Sequence, residues 1–146
     1  MKNIMKLFGI IALVVVIGFS MVACQGNADP NSLDGVWSGT NFVITIRGNT
    51  GTVTQTKNLP ALWQSAFNEN WIRNGGTFWR NLSRTGDPLI WTGQAAVVLS
   101  YTGAGTNATG IEFRTCTIYM NPNGRTFRIT HTMWGGTTND TIYTRN

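Results

Sequence analysis

Beyond residue 33 the chain is written in short runs of alternating apolar and polar residues, each closed by glycine, asparagine or proline, and this period of two restricts it to antiparallel β structure. Phe42, Ile44 and Ile46 alternate with Val43, Thr45 and Arg47, and after Gly48-Asn49-Thr50-Gly51 a further run crosses residues 52–56. Residues 36–57 therefore predict two facing β runs, with the turn residues where a positive φ is needed. Strand character returns over 77–82, breaks at Arg84-Thr85-Gly86-Asp87-Pro88 and resumes over 89–101, where Gly93 is expected to mark a bulge. Residues 102–110 are almost wholly Gly, Ala, Thr and Asn, which predicts a mobile rim loop. Two runs, 111–120 and 125–133, then pair across Asn121-Pro122-Asn123-Gly124, and Gly135-Gly136 leads into a closing strand over 137–145.

One stretch has a different period. Between Pro60 and Arg73 the apolar residues Leu62, Trp63, Ala66, Phe67 and Trp71 form the stripe of an amphipathic helix, with Asn74-Gly75-Gly76 as its stop signal. A stripe so wide and aromatic predicts packing across the sheet or over one of its open ends. The whole is an all-β fold of about seven to eight antiparallel strands with one amphipathic helix. A barrel or strongly curved sheet is favoured because closure removes exposed strand edges, and an open sandwich is the alternative.

The first 33 residues follow other rules. Lys2 and Lys6 are followed by an apolar run from residue 7 to 22, and the run ends at Met21-Val22-Ala23-Cys24 before polar Gln25-Gly26-Asn27. This resembles a bacterial lipoprotein signal peptide with its lipobox, which implies cleavage before Cys24 and a diacylglyceryl group on its thiol. The run is short against the roughly 20 residues that a membrane-spanning helix needs. Residues 1–23 then form the signal peptide, 24–33 the lipidated cysteine and a flexible tether, and 34–146 a single β-barrel domain. Gln25, rather than Asp, after the cysteine fits passage to the outer membrane, so the expected location is the bacterial cell envelope, lipid-anchored.

The stretch Leu33-Asp34-Gly35-Val36-Trp37-Ser38-Gly39-Thr40 resembles the G-x-W signature that opens the first strand of lipocalins and related calycins. The resemblance implies an antiparallel lipocalin-like barrel in which Trp37 sits at the closed end beneath an arginine from near the end of the last strand. Arg145 is the candidate for that arginine. Both residues would be structural, held in a cation–π contact between the two chain ends.

Charge and titratable groups narrow the function. The formal net charge of +5 includes Lys2 and Lys6, so the mature side chains carry 5 − 2 = +3, too mild a balance to call for nucleic acid. With Cys24 lipidated, only Cys116 remains, which leaves no intramolecular disulfide, and a buried thiol is its expected state. The acids beyond the tether are Asp34, Glu69, Asp87, Glu112 and Asp140, of which Asp34 and Asp87 suit turns. The only histidine, His131, is expected to be a hydrogen-bonded strand residue, with a Cys116–His131 nucleophile as the enzymatic alternative. A metal site needs several converging ligands, and the inventory is too thin for one. The reading is non-enzymatic, with no catalytic residues, no metal and no cofactor.

The aromatic residues are the remaining lead. Trp63, Trp71, Trp79, Trp91 and Trp134, with Phe67 and Phe78, gather around the helix and the strands after it. Core packing is the plainer use for them. The sharper reading is a pocket beneath the helix, lined by Trp63, Phe67, Trp71, Trp79 and Trp91, where Arg80, with Arg73 and Arg84 nearby, could hold an acidic head group. The expected function is a lipid-anchored lipoprotein that binds a small apolar or amphipathic ligand. The alternatives are a solidly packed barrel whose surface meets an envelope or host protein, or a carbohydrate binder with exposed Trp faces beside Asn81 or Gln94.

Overall fold

A computed structural model describes residues 29–100, 107–132 and 138–146. The signal peptide, Cys24 and the first part of the tether lie outside the described residues, as do most of the glycine-rich 102–110 segment and Trp134. The remainder contains eight strands and one helix: β1 (Gly35–Ser38), β2 (Phe42–Arg47), β3 (Thr50–Thr56), α1 (Ala61–Asn68), β4 (Thr77–Arg84), β5 (Ile90–Leu99), β6 (Gly110–Met120), β7 (Thr126–Thr132) and β8 (Thr138–Arg145). Every strand pairs antiparallel with its sequence neighbour, and β8 returns to β1 through Trp37 opposite Arg145 and Ser38 opposite Thr144. The barrel is closed. This eight-stranded meander is consistent with a calycin-like fold.

The stretch 36–57 holds three strands where two runs were expected. The additional break falls at Gly39, where a Cβ would sit 2.5 Å from the Tyr143 ring, so only glycine lets the chain turn there. Across β2 Phe42, Ile44 and Ile46 are buried as expected, at 3% exposure or less, but Val43 between them is buried as well, so burial alternates only from Ile44 onward. The turns also follow their residue chemistry. Gly48 and Gly124 adopt φ of 59° and 66°, and the Gly124 N–H donates to the Asn121 carbonyl.

The bulge expected at Gly93 lies on the facing strand. β5 pairs with β6 without a break, whereas β4 slips against β5 between Arg80 and Ser83, beside Asn81 at φ 54°. Gly93 admits that bulge: a Cβ there would meet Leu82 Cδ2 at 2.7 Å and the Arg80 carbonyl at 3.0 Å.

The two ends of the barrel differ. At one end, residues 29–34 cross as a strap. The Trp37 indole donates to the Leu33 carbonyl (2.7 Å), Arg145 donates to the Ser32 carbonyl, and Arg84 donates to Asp29 (3.1 Å) and to the Asn31 carbonyl (2.8 Å). The Arg145 guanidinium lies 4.6 Å over the Trp37 ring, as the G-x-W resemblance implied. The opposite end receives the connection from Thr56 to Thr77, which carries α1. Ala66 is fully buried, Leu62 and Trp63 pack on the core, and Ser65 Oγ accepts the Ala108 N–H at 3.1 Å.

Aromatic rings fill the space between these ends. Trp37 meets Phe127 edge-on at 4.6 Å, Phe127 stacks on Tyr143 at 5.2 Å, and Trp79 meets Tyr143 edge-on at 5.0 Å. Each such pair adds about 0.5–1.5 kcal/mol beyond the area it buries.

Candidate functional site

A cavity of about 60 Å³ opens at the helix-bearing end. Its floor is Trp79, Ile129 and Tyr143 from β4, β7 and β8, and α1 and β2 bring Trp63 and Phe42 to its wall. Phe42 touches Trp63 edge-on at 5.2 Å and Phe78 at 4.7 Å, which fixes the aromatic side. The polar side comes from Asn41, His131, Asn139 and Thr141.

β8 supplies this side by simple alternation. Asn139, Thr141 and Tyr143 occur at steps of two, so one face of the strand is polar near the mouth and aromatic deeper in.

His131 is the least expected member. Both of its ring nitrogens are buried and have no hydrogen-bond partner among the described residues, unlike the paired strand histidine that the sequence suggested. Burial lowers its pKa, and Asp140 offsets this only in part, so the imidazole is neutral at neutral pH.

Cys116 is its cross-strand partner. Burial pushes the thiol up to about 12. A nucleophilic cysteine needs the opposite shift, toward thiolate, so this pair lacks the activation that thiol chemistry uses. Asp34 and Asp87 accept backbone N–H groups from Gly48 (2.6 Å) and Leu89 (2.8 Å), the turn roles their positions predicted.

Of the aromatic residues singled out by sequence, Trp63, Phe78 and Trp79 line the cavity, and Phe67, Trp71 and Trp91 do not. Phe67 is half-buried on α1. Trp71 lies beyond the helix, which stops at Asn68 rather than running on to Arg73, because Asn70 turns the chain at φ 65°; Trp71 is 38% exposed. Trp91 sits toward the strap end of β5, with the Arg84 guanidinium 5.0 Å from its ring. Arg80 covers Phe113 at 3.9 Å and donates to Gln94 at 2.8 Å. Arg80 and Arg84 thus point to separate partners outside the cavity, Arg73 is not among its lining residues, and Asn81 and Gln94 bond to each other beside a ring already covered by Arg80.

No family model matches the chain, and neither a curated protein nor a solved structure matches it. The class that fold and site define is a small closed antiparallel barrel with a packed lumen and one helix-covered mouth.

Proposed function

We propose that the protein is a lipid-anchored lipoprotein of the bacterial envelope, attached to the outer membrane through Cys24, that binds a small amphipathic ligand and is not an enzyme. The anchoring part is supported by the charged and apolar segments that end at Cys24. The binding part is supported by one observation above others: an open cavity of aromatic walls in which a buried imidazole has no partner. Native interiors pair nearly all such groups, and an unpaired one marks a place where something else can bond. Ligand sites that swallow a drug-sized molecule measure about 300–1,000 Å³. A cavity of about 60 Å³ favours a ligand that enters by one end and stays largely outside. The Trp37–Arg145 contact supports kinship with lipocalin-like barrels.

The lumen packed by Trp37, Trp79, Phe127 and Tyr143 favours a second reading, a surface that binds another envelope or host protein, for which Ile142, 64% exposed, and Tyr119 on the outer wall are the apolar candidates.

Expression of the full chain in a two-membrane bacterium tests the first reading. Mass spectrometry of the detergent-extracted protein should show acylated Cys24 and, under native conditions, a small added mass that is lost on denaturation and recovered in an organic extract. A free Cys24 thiol refutes the anchor. A clean protein mass without uptake of added amphiphiles refutes the binding role and leaves the protein-interaction reading.

A further inference from the structure

The cavity mouth is polar in a restricted way. Among the described residues that line it none is charged, and Asn41, His131, Asn139 and Thr141 are all neutral donors and acceptors. A carboxylate placed there would lose water, find no cation in the lining and meet the field of Asp140, and an ammonium would find no carboxylate in direct contact, since Asp140 is tied to Thr130 and Arg128. A plain alkyl end would suit Phe42 and Trp63 but leave both imidazole nitrogens unpaired. A hydroxymethyl group would bond to the imidazole and waste the aromatic wall. The volume sets the third limit: a cavity of about 150 Å³ accommodates a benzene ring, so about 60 Å³ admits only a few heavy atoms.

We infer that the mouth is a binding site for an uncharged acetamido end group, a methyl on a planar amide, carried by a larger neutral molecule such as an N-acetylated sugar or an N-acylated peptide. This rests on the ligand-binding part of the proposed function and does not require the lipid anchor. The neutral imidazole has one N–H donor and one bare nitrogen acceptor on different edges of the ring, and an amide can meet one of them, through its carbonyl or through its N–H. The methyl group meets the wall formed by Phe42, Trp63 and Phe78, whose rings are already locked against one another at 4.7–5.7 Å. Asn139 and Thr141, on the same face of β8, can exchange further hydrogen bonds with whatever the acetamido group is attached to.

The test uses the full chain in zwitterionic detergent micelles. Saturation-transfer NMR is read on the acetyl methyl, and titrations are followed by the intrinsic fluorescence of the six tryptophans, of which Trp63 and Trp79 line the cavity. The probes are N-acetylglucosamine, N-acetylalanine methylamide, glucose, acetate and laurate. At least one acetamido probe should bind tenfold or more tightly than glucose and acetate, and the preferred probe tells sugar from peptide. His131→Leu and Thr141→Val should each weaken it severalfold with an unchanged circular dichroism spectrum. Thr141→Val keeps the side-chain shape and stands in if His131→Leu misfolds. Acetamido probes that bind no better than glucose, or that ignore both substitutions, overturn the inference. Binding of laurate alone overturns it while sparing the amphipathic-ligand reading, and binding of no probe removes both.

Discussion

Arg145 lies 4.6 Å over the ring of Trp37, so the last strand closes on the first through a cation held on a fully buried indole. The same guanidinium donates to the Ser32 carbonyl and the indole donates to the Leu33 carbonyl, so one contact joins β1, β8 and the strap. Arg145→Leu should cost about 2–4 kcal/mol, combining a cation–π contact of roughly 0.5–1 kcal/mol with a charge-assisted hydrogen bond of about 1.5–3 kcal/mol. Trp37→Ala should cost more, about 3–5 kcal/mol, because it empties a buried site. Urea unfolding followed by circular dichroism measures both. If Arg145→Leu matches the parent, the closure does not depend on this pair.

Two glycines with the same backbone conformation should respond differently to alanine. Gly48 and Gly124 both have positive φ, but a Cβ at Gly48 meets nothing within 4 Å, whereas one at Gly124 would lie 2.3 Å from the Pro30 carbonyl. Gly48→Ala should cost only the left-handed strain, about 1–2 kcal/mol. Gly124→Ala adds overpacking of about 1–3 kcal/mol and should lift the strap. Limited proteolysis near residue 30 together with thermal melting distinguishes the two, and equal losses would show that the strap does not press on this turn.

Stability should fall on both sides of neutrality, for different groups. Burial lowers the His131 pKa in the folded state, so below the unfolded value of 6.5 the unfolded chain binds the extra proton and stability declines as pH falls through the folded pKa. Cys116 acts in the opposite sense. Its pKa rises from 9.0 to about 12, so the contribution is complete below pH 9 and is lost as the unfolded thiol ionises. Tyr143, raised from 10.0 by burial, adds to this loss at higher pH. Each ionising group contributes a slope of about 1.4 kcal/mol per pH unit within its window. Urea midpoints from pH 5 to 11 should trace a dome. Cys116→Ala should flatten the arm that begins at pH 9, and an unchanged arm would show that the thiol ionises freely in the folded protein.

The strands were legible because period-two alternation and turn residues are local: Phe42, Ile44 and Ile46 face inward as written, and Gly124 makes the turn its neighbours announce. The Trp37–Arg145 contact was legible only through a family signature, since nothing local relates residues 37 and 145. What alternation could not reveal was where three-dimensional contact overrides it. Gly39 breaks a run because of Tyr143, far away in sequence, and Gly93 looks like a bulge because its neighbour strand contains one. The cavity was half legible. Large aromatics such as Trp63 and Trp79 draw attention by size, but Asn41, Asn139 and Thr141 resemble ordinary turn and strand residues until closure brings the β1–β2 turn, β7 and β8 around one mouth. His131 was noticed, but its lack of partners is a property of the packed barrel.

The two tryptophans of the helical segment, similar by sequence, should separate on mutation. Trp63 packs edge-on against Phe42 and lies 5.7 Å from Phe78, closing one wall of the mouth. Trp71 follows the helix end and is 38% exposed. Trp63→Ala removes contacts that no other ring can replace, so it should cost about 2–4 kcal/mol and widen the mouth, which increases uptake of an apolar fluorescent dye. Trp71→Ala removes a partly solvated ring and should stay within about 1 kcal/mol of the parent. Chemical denaturation and dye titration of both variants check the contrast. If Trp71→Ala destabilised as much as Trp63→Ala, the exposed ring would have to be covered in solution, which would favour the protein-interaction reading over a free mouth.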